Sequence, residues 1–165
     1  MAILLVDDEP ELEMLVRQKF HRQIASGELE FAFALNGEQA LEKLAADQAL
    51  DIVVSDINMP VMDGLTLLSN LVNYGRPVKT IIVSAYDDMP NIRIAMNRGA
   101  YDFLTKPIDF KDLGTTLART RRELETIRAG IQARGHFTLL HAGLEIAMRI
   151  QTSILPDTNI GHDVF

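Results

Sequence analysis

Acidic residues close two apolar runs of this chain. Asp51-Ile52-Val53-Val54-Ser55-Asp56 is a short apolar run of the kind a parallel strand covered on both faces requires. It stops on Asp56, ahead of Ile57-Asn58-Met59-Pro60-Val61-Met62-Asp63-Gly64. Ala2-Ile3-Leu4-Leu5-Val6 likewise stops on Asp7, Asp8 and Glu9 before Pro10 opens a helix. In open α/β sheets ligands bind outside the carboxyl ends of the strands, so these acids are placed for chemistry. A lone Asp there could equally form a turn or cap a helix. If the two strands are neighbours, however, Asp7, Asp8 and Asp56 converge within a few ångströms, and three carboxylates held together need a cation. Hard oxygen ligands with room for water and phosphate describe a Mg²⁺ site.

Two further runs reach the same edge. Lys79-Thr80-Ile81-Ile82-Val83-Ser84-Ala85 ends on a hydroxyl, and Ala100-Tyr101-Asp102-Phe103-Leu104-Thr105-Lys106-Pro107 ends on a cation. Taken singly, Ser84 is a turn residue and Lys106 a surface charge. Taken together, an acid pair, an acid, a hydroxyl and a lysine close successive strand-like runs, and a phosphoryl group or Asp56 is the natural partner of the lysine.

The elements that must position these groups alternate along the chain. Residues 11–24 predict a helix with Leu12, Leu15, Val16, Lys19 and Phe20 on one face, ended by Ser26-Gly27. Residues 28–35 predict a strand in which Phe31 and Phe33 alternate with Ala. Asn36-Gly37 turns into a short helix to Ala46 with Ala40, Leu41 and Leu44 inward. Gly64–Tyr74 predicts the next helix, and Asp87-Asp88-Met89-Pro90 leads into another that ends at Gly99. Five strands with interposed helices imply right-handed crossovers and a doubly wound parallel sheet.

Residues 1–118 resemble the receiver domain of two-component response regulators, in Asp7-Asp8, Asp56-x-x-Met59-Pro60-x-Met62-Asp63-Gly64, Ser84-Ala85 and Lys106-Pro107. The resemblance implies a five-stranded flavodoxin-like sheet of order 2-1-3-4-5. It makes Asp56 the phosphoacceptor of a histidine kinase or phosphotransfer protein. Mg²⁺ would be bound by Asp7, Asp8, Asp56 and the Asn58 backbone carbonyl, Ser84 would bond the phosphoryl group, and Lys106 would neutralise it. Phe103 falls at the switch position, usually Tyr, and has no hydroxyl to contribute. A cis bond is implied at Lys106-Pro107.

Composition agrees with this reading. Hydrophobic residues make up 47% of the 165, enough for a core. The absence of Cys excludes disulfides and thiolate chemistry and fits a cytoplasmic protein. No apolar run has transmembrane length. The net charge of −7 argues against direct DNA binding. Residues 1–112 carry 10 basic and 18 acidic side chains, residues 113–165 carry 6 and 5, so the two parts differ in kind. The Asp51–Gly64 loop is no EF-hand, because Pro60 interrupts it and the twelfth-position Glu is missing. No glycine-rich phosphate loop is present, and the four His residues are scattered.

From Asp109 to about Leu155 the pattern is helical. Leu113, Leu117, Thr120, Leu124, Ile127 and Ile131 keep the 4-3-4-3-4 spacing of a two-stranded coiled coil, weakened by Gly114, Gly130, Gly135 and Gly143 and shifted near Gly135-His136. Homodimerisation through this helix is the expectation; an amphipathic helix folded back on its own receiver is the alternative. Leu144–Pro156, with Ala147, Ile150-Gln151, Ser153 and Leu155-Pro156, resembles the helix that precedes PPM-type serine phosphatase domains of bacterial stress and sporulation signalling. The expected organisation is therefore a receiver at 1–118, a signalling helix at 119–155, and at 156–165 the start of an output domain. That output would be a metal-dependent phosphatase acting on a target such as an anti-sigma-factor antagonist, with the fragment itself no enzyme. A sigma-factor adaptor without catalysis is the rival. A transcription factor is disfavoured by the lack of a basic recognition helix.

Overall fold

The buried apolar runs become strands. The computed structural model describes the backbone of residues 1–154 and the side chains of residues 1–134. The junction at Leu144–Pro156 and the segment 156–165 lie outside the described side chains. Strands β1 (Ala2–Val6) and β3 (Leu50–Asp56) are buried along their whole length, and β4 (Lys79–Ala85) nearly so. The strands β2 (Glu30–Ala34) and β5 (Asp102–Lys106) are less completely covered, as edge strands should be. All pairings are parallel and the order is β2-β1-β3-β4-β5, as expected.

Strand periodicity divides the core between the two faces. Ile3, Leu5, Ile52, Val54, Ile81 and Val83 share one face with Val16 and Phe20. Leu4, Val6 and Val53 point the other way, against helices α3 (Gly37–Ala46) and α4 (Gly64–Leu71), which supply Ala40, Leu44, Leu67 and Leu71. Each buried Leu or Ile contributes about 2 kcal/mol of apolar transfer. Both helices are capped by the residue the local sequence provides: Asn36 accepts from the Gln39 amide at 2.9 Å, and Asp63 from the Thr66 amide at 2.7 Å.

The helix expected over residues 11–24 is divided into α1 (Glu11–Lys19) and α2 (His21–Ala25). The break falls at Phe20, whose φ of −105° and ψ of 19° leave the helical region while its ring enters the core 5.6 Å from the Phe31 ring. Leu12, Val16 and Phe20 face inward, but Leu15 and Lys19, assigned to the same face, are exposed. The i, i+4, i+8 row is sufficient to cover this part of the sheet, so the neighbouring row turns outward.

A larger correction concerns α6 (Phe110–Ile154). Leu113, Leu117 and Leu124, expected to face a second chain, belong to the core cluster on the α1 face of the sheet, and Thr120 is fully buried. The Thr120 hydroxyl donates to the Thr116 carbonyl at 2.7 Å, which allows a polar residue in that stripe. This part of the helix therefore folds back on its own receiver, the alternative weighed above. The first compact unit is Met1–Glu125, and the second begins at Thr126. Ile131, in the second, is exposed. No helix among the described residues is long and apolar enough to cross a membrane.

Candidate functional site

Register places the acids. Val6 pairs with Ser55, so Asp7 and Asp56 leave adjacent strands side by side, both about 6% exposed. Asp8 is exposed, yet ligand atoms from Asp7, Asp8 and Asp56 all lie within 4.8 Å of one another. Strand β5 delivers Lys106 two strands away. Its Nζ stands 2.9 Å from Asp56 Oδ2, 3.3 Å from Asp7 Oδ2 and 3.8 Å from Glu9 Oε1. The peptide bond that follows, Lys106-Pro107, is cis.

The remaining bonds orient the acids without saturating them. Asp7 Oδ1 accepts from the Glu9 amide at 2.8 Å, and Asp56 Oδ1 accepts a long bond from the Asn58 amide at 3.4 Å. Burial pushes the Asp7 carboxyl above the ordinary carboxylate range; the Asp56 charge adds to this, while the Glu9 amide and Lys106 only partly offset it. For Lys106 burial is the largest single influence and acts downward, but the Asp56 hydrogen bond and the charges of Asp56 and Asp7 outweigh it and hold the ammonium above its usual value. Three carboxylates thus face one ammonium. The excess negative charge, carried entirely on hard oxygen donors, fits a Mg²⁺ ion held by Asp7, Asp8 and Asp56.

Ser84 reaches the same edge and is 1% exposed, but its hydroxyl donates to Asp88 Oδ2 at 2.9 Å. Phe103 is half-buried, packed against the cluster of Ile57, Leu68, Ile82, Ala95 and Ala100 between the sheet and helices α4 and α5 (Met89–Asn97). One contributor escaped the sequence reading, and another, Glu9, was noted there only as an acid closing the first apolar run. Glu9 adds a third carboxylate to the surroundings of Lys106, and Asp88 accepts the hydrogen bond of the Ser84 hydroxyl. The four-residue spacing between Ser84 and Asp88 was the available signal for Asp88. The loop from Asp56 to Gly64 also contains Val61 at φ 68°, a left-handed conformation costly for a β-branched residue, spanned by a bond from the Met62 amide to the Pro60 carbonyl at 2.8 Å.

A five-stranded parallel sheet of this order, with a trio of acids and a lysine at its carboxyl edge, defines the receiver class of α/β domains. The chain belongs to the response regulator receiver domain family, whose model matches residues 3–118. It is 35% identical over 120 residues to the transcriptional regulatory protein ZraR of Klebsiella oxytoca, covering 70% of this chain and 25% of that protein. It is 34% identical over 110 residues to the DNA-binding transcriptional regulator NtrC of Escherichia coli K12, covering 67% and 22%. The chain thus spans about a quarter of the length of these relatives. Among solved structures, the signal receiver domain of an HD domain-containing protein from Pseudomonas fluorescens Pf-5 matches with a TM-score of 0.68 and 29% identity, over 77% of this chain and 90% of that one.

Proposed function

We propose that this receiver is a phosphorylation switch in which Asp56 accepts a phosphoryl group from a histidine kinase or phosphotransfer protein. The convergence of Asp7, Asp8, Asp56 and Lys106 carries this reading. Asp7, Asp8 and Asp56, with the Asn58 carbonyl, would hold Mg²⁺, which when bound neutralises the oxygens of the phosphoryl group in transfer. An Asp56 carboxylate oxygen attacks phosphorus as the donor's P–N bond breaks, giving an acyl phosphate and returning the electron pair to the donor imidazole. Lys106 is already bonded to Asp56 and stays beside the charge that arrives. Ser84 supplies a further donor once its hydroxyl turns from Asp88.

Incubation with acetyl phosphate and Mg²⁺ tests the assignment: Asp56→Asn should abolish the mass increment of phosphorylation, and chelation by EDTA should do the same in the unaltered chain. Full labelling of Asp56→Asn would overturn it.

For the output, two pointers diverge. The resemblance at Leu144–Pro156 favours a PPM-type serine phosphatase acting in a sigma-factor pathway, and the relatives' names favour transcriptional control. Phosphate release from a phosphoserine protein, assayed against DNA retention on the whole gene product, separates the two.

A further inference from the structure

We propose that Asp88 is a positioning residue for Ser84, holding its hydroxyl off the phosphoryl position until Asp56 is modified and coupling its release to the start of α5. The proposal rests on Asp56 being the phosphoacceptor. A serine hydroxyl has one proton to donate. In this structure it goes to Asp88 Oδ2 at 2.9 Å, so Ser84 cannot serve a phosphoryl oxygen without giving up that bond.

Asp88 stands at the N-cap position of α5, where an aspartate ordinarily accepts from the amides of the first helical turn. Here it does not. Its φ of −93° and ψ of 36° lie outside the extended region usual for a cap, its side chain makes no cap hydrogen bond, and Pro90 leaves the first turn one amide short. The carboxylate is instead directed back to β4 through Ser84 and across to Asn91, whose Nδ2 donates to Oδ1 at 2.8 Å. The start of α5 is tied to the carboxyl end of β4 by a bond that phosphorylation must compete with.

Two consequences follow from the exchange. When Ser84 turns its proton to a phosphoryl oxygen, Asp88 Oδ2 loses its donor and faces a newly arrived negative charge, so the loop before α5 is repelled. The freed carboxylate then becomes available to the uncapped first turn, which gives the loop a second arrangement in which its hydrogen bonding is met. Phe103 has no hydroxyl with which to carry such a polar signal, and it packs against the cluster that contains Ala95 of α5 and Ala100. The Ser84–Asp88 bond provides the link a phenol could not.

The test is a titration of the whole chain with beryllofluoride and Mg²⁺, which form a phosphoryl mimic on an aspartate, in a double-mutant cycle. Asp88→Ala should tighten binding severalfold, because Ser84 no longer has to be released. In a Ser84→Ala background the same substitution should have no effect. Asp88→Asn, which keeps an oxygen acceptor for Ser84, should stay nearer to the parent than Asp88→Ala does. An equal gain with and without Ser84 would show that only the charge of Asp88 matters and would overturn the proposal, as would the absence of any gain or a full gain in Asp88→Asn. If the parent chain neither binds the mimic nor labels at Asp56, the phosphoacceptor assignment fails and the latch with it; a parent that labels while the cycle is flat sinks the latch alone.

Discussion

The backbone of Gly64 lies directly against the carbonyl of Asp56: a Cβ built on Gly64 would overlap the Asp56 carbonyl oxygen and stand 2.9 Å from both the Asp56 carbonyl carbon and Ile57 Cα. The Gly64 amide donates to the Ile57 carbonyl at 2.8 Å, so the loop after β3 closes on its own origin, and the Asp56 side chain is aimed by that closure. Gly64→Ala cannot be relieved by a side-chain movement, because the obstructing atoms are backbone. It should cost about 3 kcal/mol in urea unfolding. Labelling of Asp56 by acetyl phosphate should fall with it even at temperatures where the variant is folded. A parent-like unfolding midpoint would show that the loop can open without penalty.

Asp7 works against the fold it belongs to. Its carboxyl is raised above the usual range by burial, with Asp56 adding to the effect. A carboxyl raised on folding binds its proton more tightly in the folded chain than in the unfolded one. Stability is therefore undiminished below the ordinary carboxylate range and is lost as pH rises from there through the raised value. Without Mg²⁺, Asp7→Asn should accordingly raise the melting temperature at about pH 7 and change it little near pH 3.5. The same variant should lose the thermal stabilisation that Mg²⁺ gives the parent. A lower melting temperature at neutral pH in EDTA would mean that the Lys106 contact outweighs desolvation.

Lys106 has the opposite sign. Despite the downward pull of burial, Asp56 and Asp7 hold its ammonium above the usual lysine value, so its contribution is fully present below the ordinary lysine range and disappears as pH rises through the raised one. Lys106→Ala leaves two buried carboxylates facing each other and should destabilise the metal-free chain by about 2 kcal/mol. Mg²⁺ can supply the missing positive charge. The variant should therefore gain more melting temperature from added Mg²⁺ than the parent does; an equal or smaller gain would place the ion away from Asp56 and Asp7.

The sheet and the acids were legible because each of these strands carries an apolar run, and the charged residue that closes the run in β1, β3 and β5 is the one delivered to the carboxyl edge. That rule puts Asp7, Asp56 and Lys106 at the edge, whereas the adjacency of their strands came from the resemblance to receiver domains. Ser84 was placed at the right edge, but its partner was not foreseen, since the choice between Asp88 and the acidic pocket is a choice of rotamer at the end of β4. Phe20 ended a helix that periodicity continued, because burying its ring beside Phe31 and Phe110 outweighed helical geometry at one residue. For α6 the difficulty was of another kind. Over Leu113, Leu117, Thr120 and Leu124 the spacing of a coiled-coil seam and that of a stripe covering a sheet are the same, so the pattern identifies a buried face without saying what buries it.

That ambiguity yields a direct test. Leu117 is 1% exposed and packs in the core cluster with Val16, Phe20 and Ile81, whereas Ile131 is 55% exposed. Truncating Leu117 to Ala removes apolar contacts inside the receiver and should cost about 3 kcal/mol in urea unfolding, at every protein concentration. Ile131→Ala should lie within about 0.5 kcal/mol of the parent, as surface substitutions do. A seam between two chains predicts otherwise: Leu117→Ala would lower the light-scattering mass, and its unfolding midpoint would move with protein concentration. An unchanged mass with a concentration-independent loss of stability would show that α6, as far as Leu124, is part of the receiver's own core, and that a phosphorylation signal leaving Asp56 enters this helix through intramolecular packing.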